Sequence, residues 1–255
     1  MEEFSQISAY LWNDLGKCLF KGVQFLLLGD PGQLDPIKDC WAGNEVKTPV
    51  CSSDLFYELT GGRMLRLTEN RRSDPPLFRF YSSLNAGLPG ERPLAEALAE
   101  ARQLFPCKPG LPDVCLCVSH KTRMAVNKRL NQANKERATL YKAGPAKKGE
   151  NSPQDMYLHE GLRLIVAAGP QKGSFVFVDS VDNAGVTLTN GVYYSKKAAI
   201  KNLRLCFCLT YAACQGLTLQ GRVRLLETDH ERGFTIKTLY VGSSRATSAT
   251  LLEVS

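Results

Sequence analysis

Five short segments carry residue types that can act on a phosphate. Glu2 and Glu3 stand side by side between Met1 and Phe4. Paired acids can hold a Mg2+ ion, usually through water, with one carboxylate and orient an attacking water with the other; the plainer reading is solvated charge. In Leu28-Gly29-Asp30-Pro31-Gly32-Gln33-Leu34-Asp35-Pro36 an apolar run ends on a Gly-Asp turn that places the uncharged amide of Gln33 past its edge. An amide can touch a terminal phosphate or a water without acting as a base, whereas the plainer reading is a proline-rich surface turn. Arg72, in Glu69-Asn70-Arg71-Arg72-Ser73, can clamp phosphate oxygens with two N–H bonds, against the default of an exposed arginine pair. A fourth segment is Thr210-Tyr211-Ala212-Ala213-Cys214-Gln215-Gly216-Leu217-Thr218. The fifth is Tyr240-Val241-Gly242-Ser243-Ser244-Arg245-Ala246. In the fifth, small residues let a helix approach closely while Arg245 projects, and such an arginine can neutralise charge that develops during phosphoryl transfer.

Other residues bear on a partner. Residues 121–148 hold nine Lys or Arg, among them Lys121, Lys128 and Arg129, against one acid, Glu136. That density suits phosphate contact and equally a solvated helix face. Aromatic residues are not interleaved with these charges, so base stacking is not indicated there. The net charge of +7 permits a polyanionic partner without requiring one. Three isolated histidines, His120, His159 and His230, receive no catalytic role. Nine cysteines in 255 residues are too dilute for a disulfide scaffold, and no Cys-x-x-Cys occurs. Cys115/Cys117 and Cys206/Cys208 are Cys-x-Cys pairs. On adjacent strands they could ligate a metal, but Leu-Cys-Leu-Cys-Val and Leu-Cys-Phe-Cys-Leu read first as buried strands with small fillers. The expected compartment is reducing, cytosol or nucleus. No apolar run has the length of a membrane span, and the acidic N-terminus is no signal peptide.

The elements that must position these groups follow from periodicity. Ile7, Leu11, Leu15 and Leu19, four apart, make one face of a helix over 5–20. Residues 23–28, apolar apart from Gln24, predict a buried parallel strand. A helix is expected over 53–59, a strand over 64–67, a helix opened by Pro75-Pro76 and closed by Gly87, and another over 94–104. Pro106, Pro109, Gly110 and Pro112 mark a candidate domain boundary. A strand over 114–118 and a helix over 122–141 come next, then an exposed loop over 143–156. Short strands at 162–166, 175–178, 186–188 and 203–209, separated by Gly and Asn, predict a small β-insert. The chain closes with a turn at Gln215-Gly216, a strand over 223–226, a helix over 236–244 and a strand over 251–254. Strands alternating with helices mean an α/β protein with a mainly parallel sheet, whose ligands sit beyond the carboxyl ends of the strands.

In this order and spacing the five segments resemble motifs II to VI of superfamily 1 DNA helicases, most closely the RecD- and Pif-type branch, including divergent copies in large viruses and mobile elements. Glu2-Glu3 is similar to the Asp-Glu of motif II, with Glu2 where the family has Asp. Gly29-Asp30…Gln33-Leu34…Pro36 resembles motif III, Arg72 the motif IV arginine, Gln215-Gly216…Thr218 motif V, and Tyr240-Val241…Ser244-Arg245-Ala246 motif VI. Ala213-Cys214 replace the basic residue and Ser or Ala that usually precede Gln-Gly, and Gly242-Ser243 replace a common Ala-Leu. The resemblance implies two RecA-like parallel-sheet domains: the first, incomplete, over 1–110, the second over 111–255 with an SH3-like β-insert at about 158–205. It implies ATP and Mg2+ as cofactors, with Glu2 serving Mg2+, Glu3 activating water, Gln33 sensing the terminal phosphate, and Arg72 and Arg245 neutralising it from either side of a cleft. Gly29, Asp30, Gln215 and Gly216 would line the nucleotide. Thr210, Thr218, Lys121, Lys128 and Arg129 would touch single-stranded or forked DNA, with RNA as the other candidate.

No Gly-x-x-x-x-Gly-Lys-Ser/Thr occurs in the sequence. In the family this phosphate loop precedes motif II and holds the nucleotide phosphates. The expectation is therefore the C-terminal portion of a motor, coupling ATP hydrolysis to strand translocation and unwinding when a P-loop segment or chain completes it. Two rival readings are a non-catalytic nucleic-acid-binding remnant and a structural subunit completed by a separate P-loop protein. In either case the site of action is the cytoplasm or nucleus, of a host cell if the source is viral.

Overall fold

The computed structural model describes residues 3–19, 21–36, 39–46, 51, 53–144 and 153–255. The chain divides into two compact units. One comprises Met1–Phe105 with Asp229–Thr250, and the other Pro106–Thr228 with Leu251–Ser255.

The first unit is mainly helical. Helix α1 (Ala9–Leu19) turns Trp12 and Leu15 inward, and α2 (Asp54–Thr60) turns in Leu59. With Phe4 these residues form a core, flanked by Ile7, Phe25, Leu27 and Phe56. Ser53 caps α2 by accepting from Phe56 N–H, and Gly61, with φ 60°, ends it in the left-handed conformation that glycine tolerates. A small hairpin pairs β1 (Cys40–Trp41) with β2 (Asn44–Glu45). Helix α3 (Pro75–Ser83) starts with Pro75 at its first position and Asp74 as cap, as the Pro-Pro pair predicts, but it stops at Ser83, short of Gly87. Helix α4 (Leu94–Leu104) matches its expected span and buries Ala97, Leu98 and Ala101.

Two expected strands of this unit are not realised. Residues 23–28 are extended without forming a strand. Phe25 and Leu27 face the core, while Val23, Leu26 and Leu28 are exposed. The alternation of a strand is present, but only one face is covered, whereas a strand buried in a doubly wound sheet is covered on both. Residues 64–67 form no strand either, and Met64, Leu65 and Leu67 are 82%, 96% and 93% exposed.

The second unit holds a four-stranded parallel sheet ordered β11-β3-β12-β13, built from β3 (Val114–Cys117), β11 (Cys208–Thr210), β12 (Val223–Leu225) and β13 (Leu252–Val254). All three pairings are parallel, so this is the expected mixed α/β architecture with a parallel sheet. Helix α5 (His120–Gln132) ends earlier than expected. Residues beyond it form a two-stranded ladder of β4 (Thr139–Tyr141) with β5 (Met156–Leu158). Where the sequence predicts a β-insert stands a five-stranded antiparallel sheet of β6 (Arg163–Val166), β7 (Phe175–Val181), β8 (Gly185–Leu188), β9 (Tyr193–Ser195) and β10 (Leu203–Leu205). Its order is β10-β6-β7-β8-β9, and α6 (Lys196–Asn202) is inserted before β10. Its core is Leu164, Val166, Val178, Leu188, Ala199 and Leu203 with neighbouring aliphatics. The expected single strand over 203–209 is two strands in two sheets. The chain leaves the antiparallel sheet after Leu205 and enters the parallel one at Cys208. Helix α7 (Ile236–Ser243) belongs to the first unit by its contacts with α3 and α4, whereas its place in the sequence groups it with 111–255.

Candidate phosphate-handling site

In the first unit, four of the five segments that singled themselves out converge. Glu2 lies outside the described residues. Glu3 sits in the left-handed region, φ 55° and ψ 48°, at the start of a short 3-10 turn, Phe4–Gln6. A non-glycine residue held there signals a conformation imposed by its surroundings. One cause is visible next door: Phe4 N–H donates to Leu28 C=O at 3.1 Å, which locks the acid-bearing turn to the end of the apolar run. The next residue, Gly29, tolerates no side chain, because a Cβ would lie 2.6 Å from Phe4 Cδ1 and 2.8 Å from Phe4 N. The Glu3 oxygen Oε2 is buried and has no hydrogen-bond partner. A carboxylate oxygen in that state has capacity for a cation or an ordered water.

Asp30 organises the turn that follows. Its Oδ1 accepts from Gly32 N–H at 2.9 Å, and its C=O accepts from Gln33 N–H at 3.1 Å. Gln33 is thereby held in a buried position. Across from the turn, Tyr240 of α7 donates its hydroxyl to Asp30 Oδ2 at 2.6 Å. Burial, and then the Asp30 carboxylate, push the Tyr240 phenol well above its ordinary value, so it is a permanent donor here. The packing is close enough that a Cβ on Gly32 would meet Tyr240 Cε1 at 3.0 Å. A second tie joins the same turn to α7: Lys237 Nζ lies 2.8 Å from Asp35 Oδ1.

Both candidate arginines bond to Ser244 at the end of α7. Arg72, itself exposed, donates through Nη1 to Ser244 C=O at 3.3 Å. Arg245 is 2% exposed and folds back on its own helix, Nε donating to Val241 C=O at 3.2 Å and Nη2 to Ser244 Oγ at 2.9 Å. Asp74 ties α3 to this region, accepting from Leu77 N–H, Ser248 Oγ and Ala249 N–H. Burial raises the Asp74 carboxyl, but those hydrogen bonds outweigh it and leave it below its ordinary value.

The remaining candidates lie in the second unit. Thr210 ends β11, and its Oγ1 accepts from Ala213 N–H at 3.2 Å inside its own turn. Gln215 is half-buried, Thr218 exposed, and Gly216 has φ +75°. Lys121, Lys128 and Arg129 are exposed on α5. The start of α5 is closed by a carboxylate: Glu227 Oε2 accepts from Val118 N–H and Ser119 N–H, both at 2.8 Å, and Oε1 accepts from Ser119 Oγ at 2.8 Å and from Thr122 Oγ1. Among the described residues no cluster of His, Cys, Asp or Glu has the makings of a metal centre. Cys115, Cys117 and Cys208 pack together with Val126 and Leu226 instead.

Sequence reasoning missed two participants. Tyr240 is legible only as part of a motif, because nothing in its own segment shows that its hydroxyl meets Asp30, 210 positions earlier. Glu227 stands in Leu226-Glu227-Thr228 with no signal in its spacing, and only its φ of 57° in the fold marks it.

No protein-family model and no curated protein matches the chain. Solved structures do. The Pif1 helicase from Candida albicans superposes with a TM-score of 0.68 at 17% identity, over 99% of this chain and 70% of that one. Bacteroides Pif1 bound to ssDNA gives 0.64 at 17%, over 99% and 69%. Pif1 from Bacteroides in complex with ADP-AlF3 and ssDNA gives 0.64 at 15%, over 99% and 69%. Over nearly its whole length, this chain is similar in fold to the Pif1 helicases of superfamily 1.

Proposed function

We propose that residues 1–255 are the C-terminal portion of a helicase-type motor that uses ATP to move along single-stranded DNA. The observation that carries this reading is the bond from Tyr240 to Asp30. It joins the Gly-Asp-x-x-Gln turn, which carries Gln33, to the helix that leads into Ser244-Arg245-Ala246. The bound ligands of the structural neighbours, ADP-AlF3 and ssDNA, have the chemistry these groups suit.

ATP with Mg2+ would supply the phosphoryl group and the charge neutralisation. The unpartnered Oε2 of Glu3 is suited to holding a cation or taking a proton from water, with Glu2 next in sequence as the second acid. Gln33, kept in place by its N–H bond to Asp30, offers an amide to a phosphate oxygen without titrating. Arg72 and Arg245 would supply positive charge, and Arg245 must leave its own helix to do so, since its Nε and Nη2 are bonded there. In the second unit, Thr218 and the exposed cations of α5 are the groups that a phosphodiester backbone would meet. The antiparallel insert would be an SH3-like accessory to the DNA path. The phosphate loop that turnover requires does not occur within residues 1–255, so a protein of these residues binds DNA without hydrolysing ATP.

Equilibrium binding of a labelled oligothymidylate, competed by unlabelled single strand or by blunt duplex of equal length, tests the reading. The single strand should compete better. Equal competition, or no binding at low salt, would remove it.

A further inference from the structure

One face of α5 has an odd member. Residues 123, 127 and 131 are four apart and share that face; all three side chains are buried. Two of them replace missing ladder bonds. Asn127 donates to Cys208 C=O at 3.0 Å and accepts from Cys208 N–H at 2.8 Å, closing the open edge of β11. Asn131 donates to Tyr157 C=O at 2.9 Å and accepts from Tyr157 N–H at 2.7 Å, doing the same for β5. The third, Arg123, is only 5% exposed, and its Nε is buried without a partner. Among the described residues its guanidinium has neither a hydrogen bond nor an ion pair.

Burying an arginine is costly unless it is paired, and arginines are almost never buried unpaired. Its surroundings deepen the imbalance. The acid nearest the start of α5, Glu227, is committed to Ser119, Thr122 and Val118. Arg204 is close enough for its positive charge to matter, and burial followed by Arg123 pushes the Arg204 guanidinium below its ordinary value. Arg204 uses Nη1 on Ile200, Lys201 and Leu203 carbonyls at the end of α6. Burial likewise lowers Arg123 itself. Arg123 stands in the first turn of α5, one turn before the Asn127 that holds β11, and so toward the carboxyl end of that parallel strand, where α/β sheets place their ligands.

The geometry points to an anion subsite at the start of α5, in which Arg123, with Arg204 near it, takes one phosphate group of a single-stranded nucleic acid. The identity of that anion rests on the functional reading above, whereas the existence of the subsite does not. The bidentate fork of arginine suits a phosphate better than a point charge would. The phosphate would supply the negative charge that the protein itself withholds from this face.

The test uses the whole chain and Arg123→Met, which keeps an apolar stem in the buried position. Two readouts are combined: the salt dependence of oligothymidylate binding, and the melting temperature as inorganic phosphate is titrated. The expected outcome is a log–log salt slope smaller by about 0.7 in the variant, the equivalent of one phosphate left unneutralised. Phosphate should raise the melting temperature of the wild type but not of Arg123→Met. Without added anion the variant should melt no lower than the wild type, since an uncompensated buried charge has been removed. Arg123→Lys, which restores charge without the fork, should recover the slope only in part. An unchanged slope and an unchanged response to phosphate, in a wild type that binds DNA, would overturn the subsite and leave the motor reading intact. A phosphate response that depends on Arg123 in a protein that ignores DNA would keep the subsite and remove the nucleic acid. A wild type that responds to neither anion would overturn both, and a lower melting temperature for Arg123→Met without anion would make Arg123 a structural residue.

Discussion

Asp30 answers two demands with one carboxylate. One oxygen shapes its own turn through Gly32 N–H and the other receives the Tyr240 hydroxyl. Replacing Tyr240 by Phe removes only that hydroxyl and should cost about 1.5 kcal/mol in urea-unfolding free energy, the scale of a hydrogen bond to a charged group. A change near zero would mean that the turn and α7 are held by packing alone. Gly29 makes a sharper case. An added methyl would meet the Phe4 ring and backbone nitrogen, so Gly29→Ala should destabilise by about 1–3 kcal/mol, the range for overpacking. It should also disturb the left-handed Glu3 beside Phe4. These residues were legible in the sequence as types with the right chemistry. What the sequence did not carry is their closure into one network, because that depends on bonds between positions as much as 210 residues apart.

Elements read well where one face decides them. Helix α4 repeats Ala97, Leu98 and Ala101 on one side and has the expected bounds, and the Pro75-Pro76 start of α3 needs no tertiary help. Residues 23–28 and 64–67 read wrongly because an apolar run states that it will be covered, not by what, and here Leu65 and Leu67 are left in solvent. The run over 203–209 splits because Cys206 and Phe207 carry the chain from one sheet to another, a change that hydrophobicity alone does not mark. Buried charge organises the far edge of the parallel sheet. Glu253 on β13 is fully buried and paired to Arg222 and Arg224, each at 2.6 Å. Those arginines also donate to the carbonyls of Lys108, Pro109 and Gly110, so one carboxylate anchors the Pro-Gly segment that opens the unit. Burial raises the Glu253 carboxyl, but the bonds from Arg224 and Arg222 outweigh it and hold it below the ordinary 4.5. A lowered folded-state value contributes stability that is complete above the unfolded value and is lost as pH falls through the folded one. The urea midpoint should therefore decline below about pH 4.5, and in Glu253→Gln that decline should be shallower from a lower starting point. A variant as stable as the wild type at pH 7 would show that the pair merely fills space.

For the whole molecule the prediction concerns DNA. The net charge of +7 is not evenly committed: Arg222 and Arg224 are tied to Glu253, while Lys121, Lys128 and Arg129 stand exposed on α5. Replacing Lys128 and Arg129 by Gln should reduce the log–log salt slope of oligothymidylate binding by about 0.7 for each phosphate that these side chains neutralise. An unchanged slope would make that stretch a solvated helix face. The most direct test is a map of amide hydrogen exchange over the whole chain with and without saturating oligothymidylate. The motor reading predicts slowed exchange at the start of α5 and through residues 208–219, where Thr210 and Thr218 stand. Bound DNA that leaves both segments unchanged and protects only other surfaces would contradict it.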